Sequence, residues 1–310
     1  MKKIFAVILS AILIMSIFAG CAKQTQETNA ENQKRVVNTV KGDVEIPSNP
    51  KRIVDISGSS EILLILGFTP VATANTDPYK PTELATYLKD KLGSSKIVGF
   101  YMSDTMDVEG IIQTEPDLII MSQRQEKIYN QLKDIAPVVM LKEYDNDWRG
   151  KMTDVAKLLG KEDVANKWLE EYDKKAQDIA NEIKSKKGEQ SYLTVLASAG
   201  QFYVFSDAGI GAMIYNDMKL NKPANLPKQE GISLPVVTLE GLSQIDSDNL
   251  IVIATEADKA SLESSSVFKN IRAVKEGNVT FLDSTPYFGQ GYEPIGKELL
   301  LDLLKEELIK

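Results

Sequence analysis

Histidine is absent from all 310 residues of this chain, and cysteine occurs once, as Cys21. Most transition-metal sites in proteins are built from these two residue types, so the composition excludes the common zinc and copper centres. The same absences remove Ser-His-Asp triads and Cys-His pairs from the enzyme classes to consider. A single cysteine also cannot form a disulfide within the chain.

Positive charge is scarce as well. The chain has 36 lysines and arginines against 44 acidic residues, a formal net charge of −8. Nucleic-acid phosphates are bound mainly by lysine and arginine, so no nucleic-acid partner is expected. The hydrophobic fraction of 43% and the charged fraction of 26% are ordinary for a globular protein that buries a sizeable core. The length allows one large domain or two of ordinary size.

An apolar run lies at the N-terminus, directly after two lysines. Residues 4–18 are too short a run for a typical membrane span and predict a signal peptide over 1–20. The run ends in SIFAGC (16–21), which resembles the bacterial lipobox, in which the cysteine is acylated and begins the mature protein. Phe18 stands where leucine is typical. A plain N-terminal anchor or a buried thiol at Cys21 is the alternative.

The segment behind the cysteine is polar and has no apolar periodicity, so 21–34 is predicted to be a flexible tether. Two or more acyl chains on Cys21 would hold the protein at a bilayer durably. We therefore expect an exported protein that is lipid-anchored to the outer face of the cytoplasmic membrane.

Short apolar, β-branched runs alternate with helical patterns along the rest of the chain. Several runs are unbroken, as expected of strands buried on both faces, and the alternation predicts an α/β fold with largely parallel sheets. The nine predicted strands are RIVDIS (52–57), VATAN (71–75), KIVGF (96–100), DLIIMS (117–122), VVMLK (138–142), YLTVLAS (192–198), FYVFS (202–206), NLIVIAT (249–255) and NVTFLD (278–283).

A long helix is predicted over 161–187, where apolar residues recur every three or four positions without proline or glycine. At 1.5 Å per residue it would be roughly 35 Å long, enough to connect two lobes, although a covering helix within one domain has the same pattern. Segments 107–122 and 238–255 echo each other on either side of it, with Glu109 and Glu240 in corresponding positions. We therefore expect lobes over 35–160 and 188–310.

The order of these parts resembles a known family. NPKRIV, EPDLII, IAPVV and VFKNIRAVKEGNVTFLDS, together with the lipobox and tether, are similar to class III substrate-binding lipoproteins of ABC importers, and most similar to their ferric-siderophore branch, especially the hydroxamate binders. The resemblance implies two Rossmann-like lobes joined by a single long rigid α-helix, with the ligand in the cleft between them. It also implies a monomer without catalytic activity that delivers its cargo to an ABC permease and its ATPase.

Ligands of open α/β sheets bind beyond the carboxyl ends of the strands, and aromatic residues are frequent there in this chain. Their rings would form apolar walls with hydroxyl tips, suited to a bulky organic chelate, although each ring could instead pack locally. The candidate ligand-binding aromatics are Tyr79, Tyr101, Trp148, Phe205, Tyr287, Phe288 and Tyr292.

Two arginines are the candidate basic groups of the cleft. Arg124 follows a buried strand, in a position that similar siderophore binders use, and its guanidinium would donate to chelate oxygens. Arg149 is the second candidate, with an ion pair to Asp145 or Asp147 as the alternative. The loop 206–211 lacks the Trp and Arg of some hydroxamate binders, and this sparse charge favours a neutral or weakly charged ferric hydroxamate over catecholate or citrate chelates.

The permease should be met by an exposed glutamate on each lobe, as the resemblance implies. Glu61 and Glu240 match those positions, and either could equally be an acidic helix-start residue. The expected iron is carried inside the siderophore, with no metal or cofactor bound directly by the protein. Direct iron ligation by tyrosine and carboxylate stays open, as do a cobalamin ligand, a two-lobed hydrolase or chelatase, and a surface adhesin.

Overall fold

The computed structural model describes residues 33–310. It begins with an antiparallel hairpin, β1 (Lys34–Thr39) and β2 (Gly42–Pro47), which the sequence did not predict. Val37 and Val44 pack on the first lobe, and Gly42 takes a positive φ of 94° at the turn. The predicted signal peptide, Cys21 and nearly all of the tether lie outside the described residues.

The first lobe contains a five-stranded parallel sheet in the order β7 (Lys96–Ile97), β4 (Ala72–Thr73), β3 (Ile53–Asp55), β8 (Leu118–Met121) and β9 (Val138–Met140). Ile53 and Leu118 face one apolar cluster, whereas Val54 and Ile119 face another on the opposite side, so both faces are buried. Its elements are β3 (Ile53–Asp55), α1 (Ser60–Ile65), β4 (Ala72–Thr73), the small hairpin β5 (Thr76–Asp77) and β6 (Lys80–Leu84), α2 (Lys89–Leu92), β7 (Lys96–Ile97), α3 (Val108–Gln113), β8 (Leu118–Met121), α4 (Tyr129–Leu132), β9 (Val138–Met140) and α5 (Trp148–Leu159).

A helix of 26 residues, α6 (Glu162–Lys187), follows α5 after Gly160, whose φ is +63°. It is about 39 Å long at 1.5 Å per residue. Ala165 belongs to the core of the first lobe, while Tyr172 and Ile183 belong to that of the second. The helix therefore packs on both lobes, and the predicted connecting helix is confirmed.

The second lobe contains a mixed sheet in the order β12 (Val236–Val237), β11 (Gln201–Val204), β10 (Tyr192–Ser198), β13 (Asn249–Ala254) and β14 (Val279–Asp283), in which the last three are parallel. β11 is antiparallel to β10 because the connecting turn, Ala199 and Gly200, reverses the chain with positive φ values. Its elements are β10 (Tyr192–Ser198), β11 (Gln201–Val204), α7 (Gly209–Ala212), β12 (Val236–Val237), α8 (Leu239–Ser243), β13 (Asn249–Ala254), α9 (Glu256–Ser264), α10 (Ser266–Lys269), α11 (Arg272–Lys275), β14 (Val279–Asp283), α12 (Ser284–Gln290) and α13 (Pro294–Ile309).

The α/β architecture of two lobes joined by one long helix is therefore confirmed, and a strand overlaps each of the nine predicted segments. Two connections contain short helical segments. A 3₁₀ segment, Gln123–Ile128, leads into the one-turn α4 after β8, and α12 follows β14 directly. Within residues 33–310, no helix is both long enough and apolar enough to span a bilayer.

Candidate ligand-binding cleft

A small cavity lies between the two lobes. It opens beyond the carboxyl ends of β3, β4 and β14, where ligand sites of α/β sheets are usually found. Residues from the first lobe form most of the wall, and the segment around α12 closes it from the second lobe. Residues important for its chemistry are Glu61, Asn75, Tyr87, Tyr101, Phe288 and Glu293.

The mouth of the cavity is closed by contacts between the lobes. The ring of Phe288 meets that of Tyr79 edge-on, with centroids 5.9 Å apart. Gly289 follows, and a Cβ there would lie 2.5 Å from the Tyr87 hydroxyl. Only glycine therefore allows this segment of α12 to approach the first lobe so closely.

Tyr101 is held in the wall by two features of the first lobe. Its backbone carbonyl accepts a hydrogen bond of 2.7 Å from the Gln125 side chain, which is itself part of a capping box with Ser122. Its ring lies against Gly58, where an added Cβ would be 2.7 Å from a ring carbon. Burial raises the pKa of Tyr101, so its hydroxyl remains a hydrogen-bond donor at neutral pH.

Glu61 is fully buried and connects the lobes. One carboxyl oxygen accepts a hydrogen bond of 2.6 Å from the Tyr87 hydroxyl, and the other accepts one of 2.9 Å from the backbone N–H of Gly296 in α13. Burial, together with the charge of Glu293, raises the pKa of Glu61 to about 8. A substantial share of this side chain is therefore protonated at neutral pH.

A second contact between the lobes joins Lys151 of α5 to Glu293, at 3.6 Å between Nζ and Oε1. Lys151 also donates to the Gly58 carbonyl at 2.7 Å, and burial raises the pKa of Glu293. Lys297 lies deeper, 2% exposed, with its ammonium 5.6 Å from the centre of the Trp148 ring. Burial lowers the pKa of Lys297 to about 8.

Three of the sequence-predicted ligand aromatics lie in or beside the cavity wall. Tyr101 and Phe288 line the cavity, and Tyr79, 52% exposed, lies at its mouth. Arg124 is exposed at the start of the 3₁₀ segment after β8, and its positive charge offsets a small part of the rise that burial causes in the pKa of Tyr101. A ligand role for these residues remains a prediction.

The other four aromatic candidates are not placed in the cavity wall, which corrects the expectation. Phe205 and Tyr287 lie in the core of the second lobe, where the Tyr287 hydroxyl accepts from the N–H of Ile210 at 3.1 Å. Tyr292 packs on Tyr287, and Trp148 packs edge-on against Trp168 and Tyr172. Each ring finds apolar contacts locally, as the alternative interpretation allowed.

Arg149 is also placed away from the cavity wall. Its guanidinium pairs with Asp173 of α6 and with Asp217, at 3.1 Å from the latter, and it stacks on Trp148. The pairing expected with Asp145 or Asp147 is not observed, because Asp147 instead caps α5 by accepting from the N–H of Gly150. Arg149 thus ties α5 to α6 and to the second lobe.

The two docking candidates differ in exposure. Glu240 is exposed in the first turn of α8, as a surface contact requires. Glu61 is buried, so the exposed position expected for it is corrected. Glu109, the residue that corresponds to Glu240 in the internal echo, is exposed in the first turn of α3. Asp107 and Thr238 cap these two helices in the same way, so the echo extends to their local geometry.

Asn75, Tyr87 and Glu293 are among the cavity residues that were not singled out in the sequence. Asn75 ends a predicted strand and Glu293 lies in a segment that follows one, so their positions were a usable signal. Tyr87 lies in a 3₁₀ turn between the small hairpin and α2, and no sequence pattern indicates that it faces the cleft.

The architecture defines a binding protein in which two α/β lobes enclose a ligand. A family model described as "Periplasmic binding protein" matches residues 56–286, and the chain belongs to this family. The "Probable siderophore-binding lipoprotein YfiY" of Bacillus subtilis is 28% identical over 98% of this chain and 98% of that protein. The "Iron(3+)-hydroxamate-binding protein FhuD" of the same organism is also 28% identical, over 97% and 96%.

Comparison with solved structures leads to the same class of protein. Staphylococcus aureus SirA complexed with staphyloferrin B is 26% identical and has a TM-score of 0.72, over 88% of this chain and 98% of that chain. The family resemblance read from the sequence is therefore confirmed. Its members are binding components of transport systems, which confirms the expectation of a non-enzymatic protein that carries its cargo as a ligand.

Proposed function

We propose that this chain is the substrate-binding component of an ABC importer, which captures a ferric siderophore between its lobes and delivers it to a permease. The observation that carries the proposal is the cavity bounded by Tyr101 and Phe288 at the strand ends of both lobes. Relatives named for siderophore and ferric-hydroxamate binding support the substrate class. The iron is held by the siderophore, and the protein contacts the organic shell.

A hydroxamate siderophore suits the charges of the cleft best. Arg124 is the basic candidate at the mouth, since Arg149 is neutralised by Asp173 and Asp217. Multiply anionic catecholate or citrate chelates need several basic groups, and the cavity wall carries carboxyl groups instead. A ferric trihydroxamate is neutral or weakly charged, so it avoids this repulsion.

Intrinsic fluorescence tests the substrate class, because the chain has two tryptophans. Ferrioxamine, ferrichrome, ferric citrate, ferric enterobactin and cobalamin are titrated against the protein. We expect saturable quenching by the two hydroxamates, with weaker or absent quenching by the others. Saturation by cobalamin alone would favour the corrinoid alternative, and no quenching by any chelate would contradict the proposal.

We further propose that Glu109 and Glu240 are the surface acids that meet the permease, one on each lobe. Their support is their exposure and their equivalent places in the two echoed helices. Cys21 is proposed as the lipid attachment that keeps a monomeric receptor at the outer face of the cytoplasmic membrane, near the permease and its ATPase. A relative named as a lipoprotein supports that anchor.

A further inference from the structure

The charge of the cavity wall is unusual for a site that receives an iron chelate. Two of its lining residues, Glu61 and Glu293, carry carboxyl groups, and among the described residues that line it there is no lysine or arginine. Nothing in ferric hydroxamate binding as such requires buried acids, because hydroxamate oxygens are acceptors or are occupied by iron. The acids therefore need a separate explanation.

Glu293 has unused capacity to accept hydrogen bonds. It is 9% exposed, and across residues 33–310 its nearest cation is Lys151, at 3.6 Å from Oε1. The Lys151 ammonium donates instead to the Gly58 carbonyl at 2.7 Å. A buried carboxylate usually accepts several short hydrogen bonds, so a donor from outside the protein would complete this one.

The rest of the wall supplies what a buried ammonium group requires. Each carboxyl oxygen of Glu61 accepts one hydrogen bond and keeps a further lone pair. The rings of Tyr101 and Phe288 face the same cavity, and aromatic faces attract cations. Carboxylates combined with aromatic rings form a site for a cation, whereas an anion would find no charged partner here.

We propose that this cavity selects ferric chelates that carry a protonated amine, with the ammonium group bound by Glu61 and Glu293 and the chelated iron toward Arg124. This inference rests on the proposed function and narrows its ligand to cationic hydroxamate chelates. The lobe interface then supplies specificity: Glu61 comes from the first lobe and Glu293 from the second, so the ammonium binds both.

Binding of the ammonium should depend on pH. Because the pKa of Glu61 is about 8, an arriving cation must displace a proton from it below that pH, so affinity rises between pH 6 and pH 8. The affinity for a chelate that carries an amide in place of the amine should not depend on pH in this way. The titratable groups that act on Glu61 are Tyr87, Tyr101 and Glu293. Glu293 is in turn influenced by Lys151 of α5, Asp55 of β3 and Lys297 of α13.

A matched pair of ligands tests the proposal with the full chain. Ferrioxamine B carries a free ammonium group, and its N-acetylated form has the same three hydroxamates but no charge there. We expect ferrioxamine B to quench tryptophan fluorescence with a Kd about tenfold lower at pH 8 than that of the acetylated form. The preference should shrink to about threefold at pH 6.

Variants assign the preference to the two acids. Glu293→Gln and Glu61→Gln should each bring the Kd ratio of the two ligands toward one, and Glu61→Gln should also weaken the pH dependence of that ratio. Glu170→Gln, on the exposed face of α6, should leave the ratio unchanged. The ligand pair remains decisive even if a cavity variant fails to fold.

The possible failures are distinguishable. Equal affinity for both ligands, or tighter binding of the acetylated form, would overturn this inference and leave the proposed function intact. Failure of both ligands to bind, together with every other hydroxamate, would overturn the proposed function and the inference with it.

Discussion

At the scale of single residues, the position of a residue in a loop does not determine where its side chain points. Tyr101 and Tyr287 both follow predicted strands, and both have a ring with a hydroxyl tip. Tyr101 reaches the cavity because Gly58 leaves room for its ring, while Tyr287 turns into the core, where its hydroxyl meets the Ile210 N–H. The sequence therefore indicated the correct segments for the site, but side-chain direction depends on contacts made far along the chain.

Glu61 makes the stability of the protein depend on pH. Its pKa in the folded state, about 8, lies above the ordinary value of 4.5, so its stabilising contribution is complete below pH 4.5 and is lost as the pH rises through 8. Between pH 6 and 8 this loss reaches at most about 1.4 kcal/mol per pH unit. The lowered pKa of Lys297 acts above pH 8 and with the opposite sign.

Glu61→Gln should therefore stabilise the protein more at pH 8 than at pH 6. Glutamine can accept from the Gly296 N–H and donate to the Tyr87 hydroxyl, so both contacts persist without an ionisable group. We expect the difference in free energy of unfolding between variant and parent to grow by about 1–2 kcal/mol across this range, as measured in urea. A constant difference, or the same change in Glu170→Gln, would contradict the assignment.

Long secondary-structure elements with a clear periodicity were predicted from the sequence, whereas several short ones were not. The long helix α6 and the buried strands β8, β10 and β13 carry strong patterns, and all were anticipated. The two-residue strands β5 and β12 are too short for any period to register. The helix α12 has a proline, a glycine and two aromatic residues, a composition that predicts a loop, and it forms because it packs between the lobes.

The helix α6 packs on the second lobe through small side chains. Ala180 is 1% exposed, whereas the next residue, Asn181, is exposed. Ala180→Leu should cost about 1–3 kcal/mol, because extra methyl groups must displace the surrounding core. Asn181→Leu should change the unfolding free energy by no more than about 0.5 kcal/mol. Urea unfolding of both variants measures the contrast, and equal effects would show that this face of α6 is not packed as described.

At the scale of the whole molecule, the lobes are joined by α6 and also by buried polar contacts. Glu61 with Gly296, and Lys151 with Glu293, connect the lobes directly beside the cavity. Since a rigid helix limits the motion between the lobes, we expect small closing movements around a ligand rather than a wide hinge. Such a receptor presents its two surface acids at a nearly constant separation.

Because Glu109 and Glu240 lie outside the cavity, permease docking can be tested without disturbing the cleft. Glu109→Arg and Glu240→Arg should each lower uptake of radioactive iron, supplied as ferrioxamine, by about tenfold or more in cells that depend on this chain. Chelate affinity of the purified variants should stay unchanged, because both residues are exposed outside the cavity. Glu170→Arg is the matched control on α6. Normal uptake in both variants would contradict the docking assignment.

The central claim, that a ferric chelate is held between the lobes by its organic shell, is tested most directly by anomalous X-ray diffraction from crystals grown with ferrioxamine B. We expect one iron peak in the interlobe cleft beside Tyr101 and Phe288, with no protein atom in the iron coordination sphere. An iron coordinated by protein carboxylates or tyrosines, or a chelate bound outside the cleft with the cavity between the lobes unoccupied, would contradict the account.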